Sequence, residues 1–102
     1  MSVYVVAQLS FTDESRYRLY QTRFPEAFAG SGGRLLAADE APQVLEGDWS
    51  GSKLVIMAFA DETAARAFLD SPLYREISED RRAGARTTAL LARGLDGPGP
   101  KS

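Results

Sequence analysis

The chain has 102 residues, no Cys and no His, with 12 Lys plus Arg against 14 Asp plus Glu for a net charge of -2. Without Cys there can be no disulfide, zinc-thiolate centre, iron-sulfur cluster or thiol nucleophile, and without His the commonest general base, metal ligand and proximal haem ligand are missing. One domain is expected over residues 1–94, and scattered arginines in a slightly acidic chain lack the basic stripe that a nucleic-acid partner requires.

Val3 to Phe11 reads as a strand, with Val3, Val5, Ala7, Leu9 and Phe11 on one face and Tyr4, Val6, Gln8 and Ser10 on the other. Thr12, Asp13, Glu14 and Ser15 then supply a capping oxygen and first-turn acids for a helix. Tyr17, Tyr20, Phe24 and Phe28 follow at helical spacing as one apolar stripe. Pro25 cannot donate to the residue four back, so a kink or a restarted turn is expected there. Gly30-Ser31-Gly32-Gly33 ends the helix; it lacks the spacing of a nucleotide-binding loop and precedes a strand.

Arg34 to Asp39 is the second strand, and Val44 to Trp49 is expected as a short extended piece, an extra hairpin strand. Lys53 to Phe59 is apolar on both parities, so both of its faces need cover. Asp61-Glu62-Thr63 opens a helix that turns Ala64, Ala65, Phe68 and Leu69 inward. Ser71-Pro72 restarts it with an N-cap and a first-turn proline, and Leu73, Tyr74, Ile77 and Arg81 share the inner side. Gly84 ends this helix and Thr87 to Arg93 is the last strand. Residues 95–102 show no periodicity and are expected to form a disordered tail. No apolar run nears the ~20 residues of a membrane span, and Met1-Ser2-Val3-Tyr4 lacks the basic start of a signal peptide. The expectation is a cytoplasmic protein with no membrane partner.

This order is the split βαβ pattern, an α+β ferredoxin-like sandwich. Right-handed crossovers put the helices on one face of a four-stranded sheet and leave the other bare. Whichever parity holds, the bare face carries Val5 or Val6 and Ile56 or Met57, each gaining ~1.5–3 kcal/mol on leaving water. An exposed apolar patch marks an interaction surface. A second copy packed sheet to sheet is the economical cover, so a homodimer through the open face is expected.

An ordered set of short motifs sharpens this. Asp13, Tyr17, Tyr20, Pro25 and Gly32-Gly33-Arg34 are followed by Val44-Leu45-Glu46-Gly47-Asp48-Trp49, Leu54-Val55-Ile56 and Phe59, then Ala64-Ala65, Ser71-Pro72-x-Tyr74 and Arg81-Arg82. Over roughly residues 3 to 94 this set resembles the domain-of-unknown-function family numbered 1330. Ser31 departs from that pattern, where an aromatic is usual before the glycine pair. The resemblance implies a dimeric α+β barrel and no established reaction.

The residues with chemistry to offer are Tyr17, Tyr20, Glu46, Trp49, Tyr74 and Arg81. The tyrosines can stack on and hydrogen-bond an aromatic ligand, or serve as core aromatics with their hydroxyls at the rim. Arg81 can take a carboxylate or enolate, or pair structurally with Glu46. Glu46 can act as a base if buried, and Trp49 can wall a pocket, but both also suit a hairpin with Gly47 as its bulge. The Asp80-Arg81-Arg82 cluster, with Arg75, Arg86 and Arg93, reads otherwise as a solvated helix face. Two functions are expected alternatives: binding of a small aromatic or acidic organic ligand between sheet and helices, or, as the resemblance to dimeric α+β barrels alone implies, a cofactor-independent monooxygenase-like or isomerase-like activity. Neither calls for a cofactor or a metal. A site of either kind needs an open cavity of ~300 Å³ or more, lined by these residues.

Overall fold

The structure, a computed structural model, describes residues 2–95. Seven elements follow in order: β1 (Val3–Phe11), α1 (Glu14–Phe28), β2 (Arg34–Asp39), β3 (Lys53–Phe59), α2 (Glu62–Leu69), α3 (Pro72–Gly84) and β4 (Ala85–Arg93). The strands form one antiparallel sheet in the order β2-β3-β1-β4. β4 begins two residues earlier than periodicity indicates, because Ala85 pairs with Phe11 and is buried. The part of the expected tail from 96 onward lies outside the described residues.

Each helix starts where its polar residues permit. The Asp13 side chain accepts from the Arg16 N–H, and Asp61 does the same for the Ala64 N–H. These side chains satisfy donors that a helix start leaves unpaired. Ser71 caps α3 by position but not by side chain, since its Oγ donates instead to the Phe68 carbonyl at 2.7 Å. Pro25 lies inside α1 without ending it.

All three helices cover the odd-numbered face of the sheet. Val3, Val5, Leu9, Met57, Phe59 and Ala85 pack there against Tyr17, Tyr20, Ala65, Phe68, Tyr74 and Ile77. α1 and α3 lie against each other, and Gly84 makes this close approach possible. Its carbonyl accepts from the Thr12 and Asp13 N–H groups at 2.9 and 3.1 Å. On the outer surface Arg16–Asp80 and Arg23–Glu76 ion pairs join the same two helices.

The even-numbered face has no helix on it among the described residues. Register places Ala37, Ile56, Val6 and Leu90 in one row across all four strands. Val6 and Ile56 are half-buried by their neighbours, while Leu90 is 63% exposed. Ala58, Tyr4 and Ala92 form the next row, and Leu54, Gln8 and Thr88 the one on the other side.

The expected strand over Val44 to Trp49 is absent; these residues pair with nothing in the sheet. Leu45 is 96% exposed and Gly47 adopts φ +88, a left-handed conformation that interrupts an extended run. The outer edges of β2 and β4 stay unpaired among the described residues, so the broken extended run, and not the lack of an edge, keeps the segment out of the sheet.

Candidate functional site

Between the inner face of the sheet and the helices lies a cavity of about 530 Å³. Its lining combines sheet residues such as Val5, Val55 and Met57 with Phe24 and Leu69 from the helices. Of the residues singled out by sequence, Tyr17, Tyr20, Tyr74 and Arg81 line this cavity, and Glu46 and Trp49 do not.

The three tyrosines form a connected group. The Tyr17 and Tyr20 ring centroids are 5.5 Å apart, and the Tyr20 ring meets Tyr74 edge-on at 6.1 Å. Tyr20 and Tyr74 share a hydrogen bond between their hydroxyls at 3.1 Å. Burial pushes the Tyr17 phenol up to about 12. It also raises Tyr20, reinforced by the Tyr74 hydroxyl. Both phenols are therefore neutral at ordinary pH and can donate as well as accept.

The Arg81 guanidinium lies 6.0 Å from the Tyr20 ring centroid. Its Nε is buried and has no hydrogen-bond partner. The structural pairing expected with Glu46 is not made, because Glu46 is exposed on the 40–52 connection and forms no ion pair among the described residues. Glu46 is not buried, so it lacks the desolvated setting a general base would need. Trp49 instead borders a separate polar depression, with Gln8, Ser10, Asp48, Arg86 and Thr88, at the end of the open face.

Two lining residues escaped the sequence reading. Lys53 is only 6% exposed, and its Nζ lies 5.0 Å from the Tyr17 ring centroid. It makes no hydrogen bond or ion pair among the described residues. Desolvation lowers its pKa, and Glu40 partly opposes that shift. The Glu40 carboxylate is itself held by Arg18 at 2.6 and 2.9 Å. Thr87 is the second, with a buried Oγ1 that has no partner. The signal for both was strand parity: Lys53 shares its face with Val55, Met57 and Phe59, and Thr87 shares its face with Ala85 and Leu91. Three arginines, Arg66, Arg75 and Arg82, line the rim; they are exposed, as a solvated face requires, yet border the cavity too. Among the described lining residues there are five cations and no Asp or Glu.

This architecture is a ferredoxin-like α+β fold. The chain belongs to the family described as domain of unknown function 1330 (DUF1330), whose model matches residues 2–95. No curated protein matches it in sequence. Solved structures similar to it include a protein of unknown function from Rhodopseudomonas palustris, with TM-score 0.77 and 16% identity over 94% of this chain and 84% of that one. SnoaB, a cofactor-independent oxygenase from Streptomyces nogalater, has TM-score 0.67 and 18% identity over 94% and 95%. A dimeric ferredoxin-like protein of unknown function from Thermobifida fusca has TM-score 0.64 and 15% identity over 89% of each chain.

Proposed function

We propose that this protein binds a small aromatic organic ligand with an acidic group in the cavity between sheet and helices. The observation that carries this reading is the lining itself: tyrosines packed tilted and edge-on, with apolar side chains, five cations of which Arg66 is held by Glu62, and no carboxylate, inside a chain whose net charge is -2. A cavity of about 530 Å³ is within the ~300–1,000 Å³ of small-molecule sites. Tyr17, Tyr20, Tyr74 and Arg81 are the proposed contacts. Aromatic faces and phenol hydroxyls orient a ring, and a guanidinium takes a carboxylate or enolate. A thermal-shift screen over phenols, quinones and aromatic acids tests this, since a ligand that binds only the native state raises the melting temperature. Stabilisation by aromatic acids is expected, lost in Tyr20→Ala and Arg81→Ala; a flat response across all three classes would refute it.

The proposed working unit is a homodimer closed through the open sheet face. The row Ala37, Ile56, Val6 and Leu90 supports this, as does the dimeric neighbour from Thermobifida fusca. Light scattering on an eluting column peak should give twice the chain mass; a monomer at micromolar concentration would rule the dimer out.

The oxygenase among the structural neighbours brings a second reading, cofactor-independent oxygenation or isomerisation of the bound aromatic. Oxygen uptake, or a new isomer by chromatography, on mixing protein with the best-binding hydroxylated aromatics decides it.

A further inference from the structure

Lys53 raises a question that the tyrosines and Arg81 do not answer. A buried ammonium is costly unless something anionic faces it. Lys53 is 94% removed from solvent by its 6% exposure, lines the cavity, and has no carboxylate partner among the described residues. The nearby acid, Glu40, is already held by two bonds from Arg18. The Tyr17 face lies beside the ammonium and offers it a weak electrostatic attraction and no acceptor atom, while Glu40 and Arg18 act on it in opposite senses through their charges and without a hydrogen bond.

Register adds a second donor. Lys53 and Thr87 both pair with Leu9, one from each side, so they occupy one row on the inner face of β3-β1-β4. Two strand spacings, ~10 Å of sheet, separate their backbones, and the cavity lies over the row. The Thr87 hydroxyl is buried and unpartnered. In a native interior such groups are almost always satisfied, so an orphan of this kind at a cavity wall calls for a ligand atom.

We propose that Lys53, with Thr87 across Leu9 from it, anchors the oxyanion of the bound ligand. This rests on the cavity being the ligand site, and it narrows the ligand class to aromatic compounds ionised at one oxygen, as a carboxylate, phenolate or enolate. Lys53 supplies the counter-charge, Thr87 a hydrogen bond, and Tyr17 a ring against which the ligand's body lies beside its charged end. No bond is made or broken.

The test compares 2-naphthoate with its neutral isostere 2-naphthamide, and with acetate as a charge lacking the body. Binding is measured by calorimetry on the wild type, Lys53→Met, Thr87→Val and the surface variant Arg23→Gln. Naphthoate should bind the wild type and Arg23→Gln alike, and lose about ten- to hundred-fold in Lys53→Met, the range for a charged hydrogen bond. Thr87→Val, a substitution of nearly equal volume, should lose several-fold. Naphthamide should bind more weakly and be indifferent to position 53. Equal binding of naphthoate and naphthamide, insensitive to position 53, overturns the anchor while leaving the cavity as a ligand site. Failure of both to bind the wild type overturns both readings. Acetate binding as tightly as naphthoate would also overturn it, since the site would then take small anions without the aromatic body.

Discussion

If Lys53 is held in place for a ligand, the empty protein should be more stable without it. Lys53→Met keeps the length and apolar stem of the side chain and removes only the ammonium. Exchanging a buried charge for a well-packed apolar group of similar volume is often stabilising by ~1–4 kcal/mol. The amine borders the cavity, so its desolvation is partial, and the substitution also gives up the attraction to Tyr17, ~0.5–2 kcal/mol. The balance expected is a gain of ~1–2 kcal/mol, which at ~4–8 °C per kcal/mol for a chain this size raises the melting temperature by ~4–16 °C. The pH dependence fixes the cause. Lys53 titrates below 10.5 in the folded chain, mainly through desolvation, with Glu40 raising and Arg18 lowering it. Below its folded pKa both states hold the proton and the cost is carried in full. Between the folded and unfolded values the unfolded chain binds the extra proton, so wild-type stability rises with pH. Tyr17, whose phenol is pushed up to about 12, acts in the opposite sense above pH 10. Tyr20 acts in the same sense, and because Lys53 faces the Tyr17 ring the comparison is made below that range. Urea unfolding of both proteins, at equal chain concentration from pH 7 to about 9.5, should therefore show the gain of Lys53→Met shrinking as pH rises. A variant less stable than wild type, or a gain independent of pH, would refute the reasoning.

Other changes probe the frame around the site. Gly84→Ala would drive a Cβ into the Tyr17 backbone nitrogen and to 2.8 Å from the Asp13 carbonyl oxygen; with only backbone to yield, a loss of ~2–3 kcal/mol is expected in chemical denaturation. Tyr74→Phe removes the hydroxyl bonded to Tyr20 and should cost ~0.5–1.5 kcal/mol by the same measurement, leaving the fold intact by circular dichroism. Ile56→Asp places a carboxylate in the middle of the open-face row; light scattering should report a shift from dimer to monomer, and an unchanged dimer would move the interface elsewhere.

How far the sequence could be read depended on whether an element closes on local neighbours or distant ones. β1 alternates along most of its length, β3 is a nearly continuous apolar run, and the helices carry capping residues one position before their starts. Those signals are local, and they placed β1, β2 and β3 at their observed limits. The tyrosine group was legible for the same reason, since Tyr17 and Tyr20 lie on one helical stripe and Tyr74 on the inner side of another. Val44 to Trp49 misled because extended composition says only that a strand is possible. A strand also needs an unbroken extended run; the outer edges of β2 and β4 are open among the described residues, but Gly47 at φ +88 interrupts the segment before it can pair.

Lys53 shows the limit most clearly. At the first position of a strand a lysine ordinarily points to water, and only the pairing of β3 with β1 and the cover of α1 turn it inward. The same pairing brings Thr87 into its row from a strand 34 positions further along. Neither residue carries a motif; each becomes chemical through register. In a chain without His or Cys, this leaves Tyr, Arg, Lys and Thr to recognise the ligand. Apart from the hydroxyls of Tyr and Thr, which also accept, those side chains offer only donors and positive charge. A cavity so furnished discriminates by what it lacks: Arg66 is held by Glu62 outside the lining, but with no carboxylate in the lining itself there is no counter-charge for a cationic ligand, and Lys53 stays without an anionic partner unless the ligand supplies one.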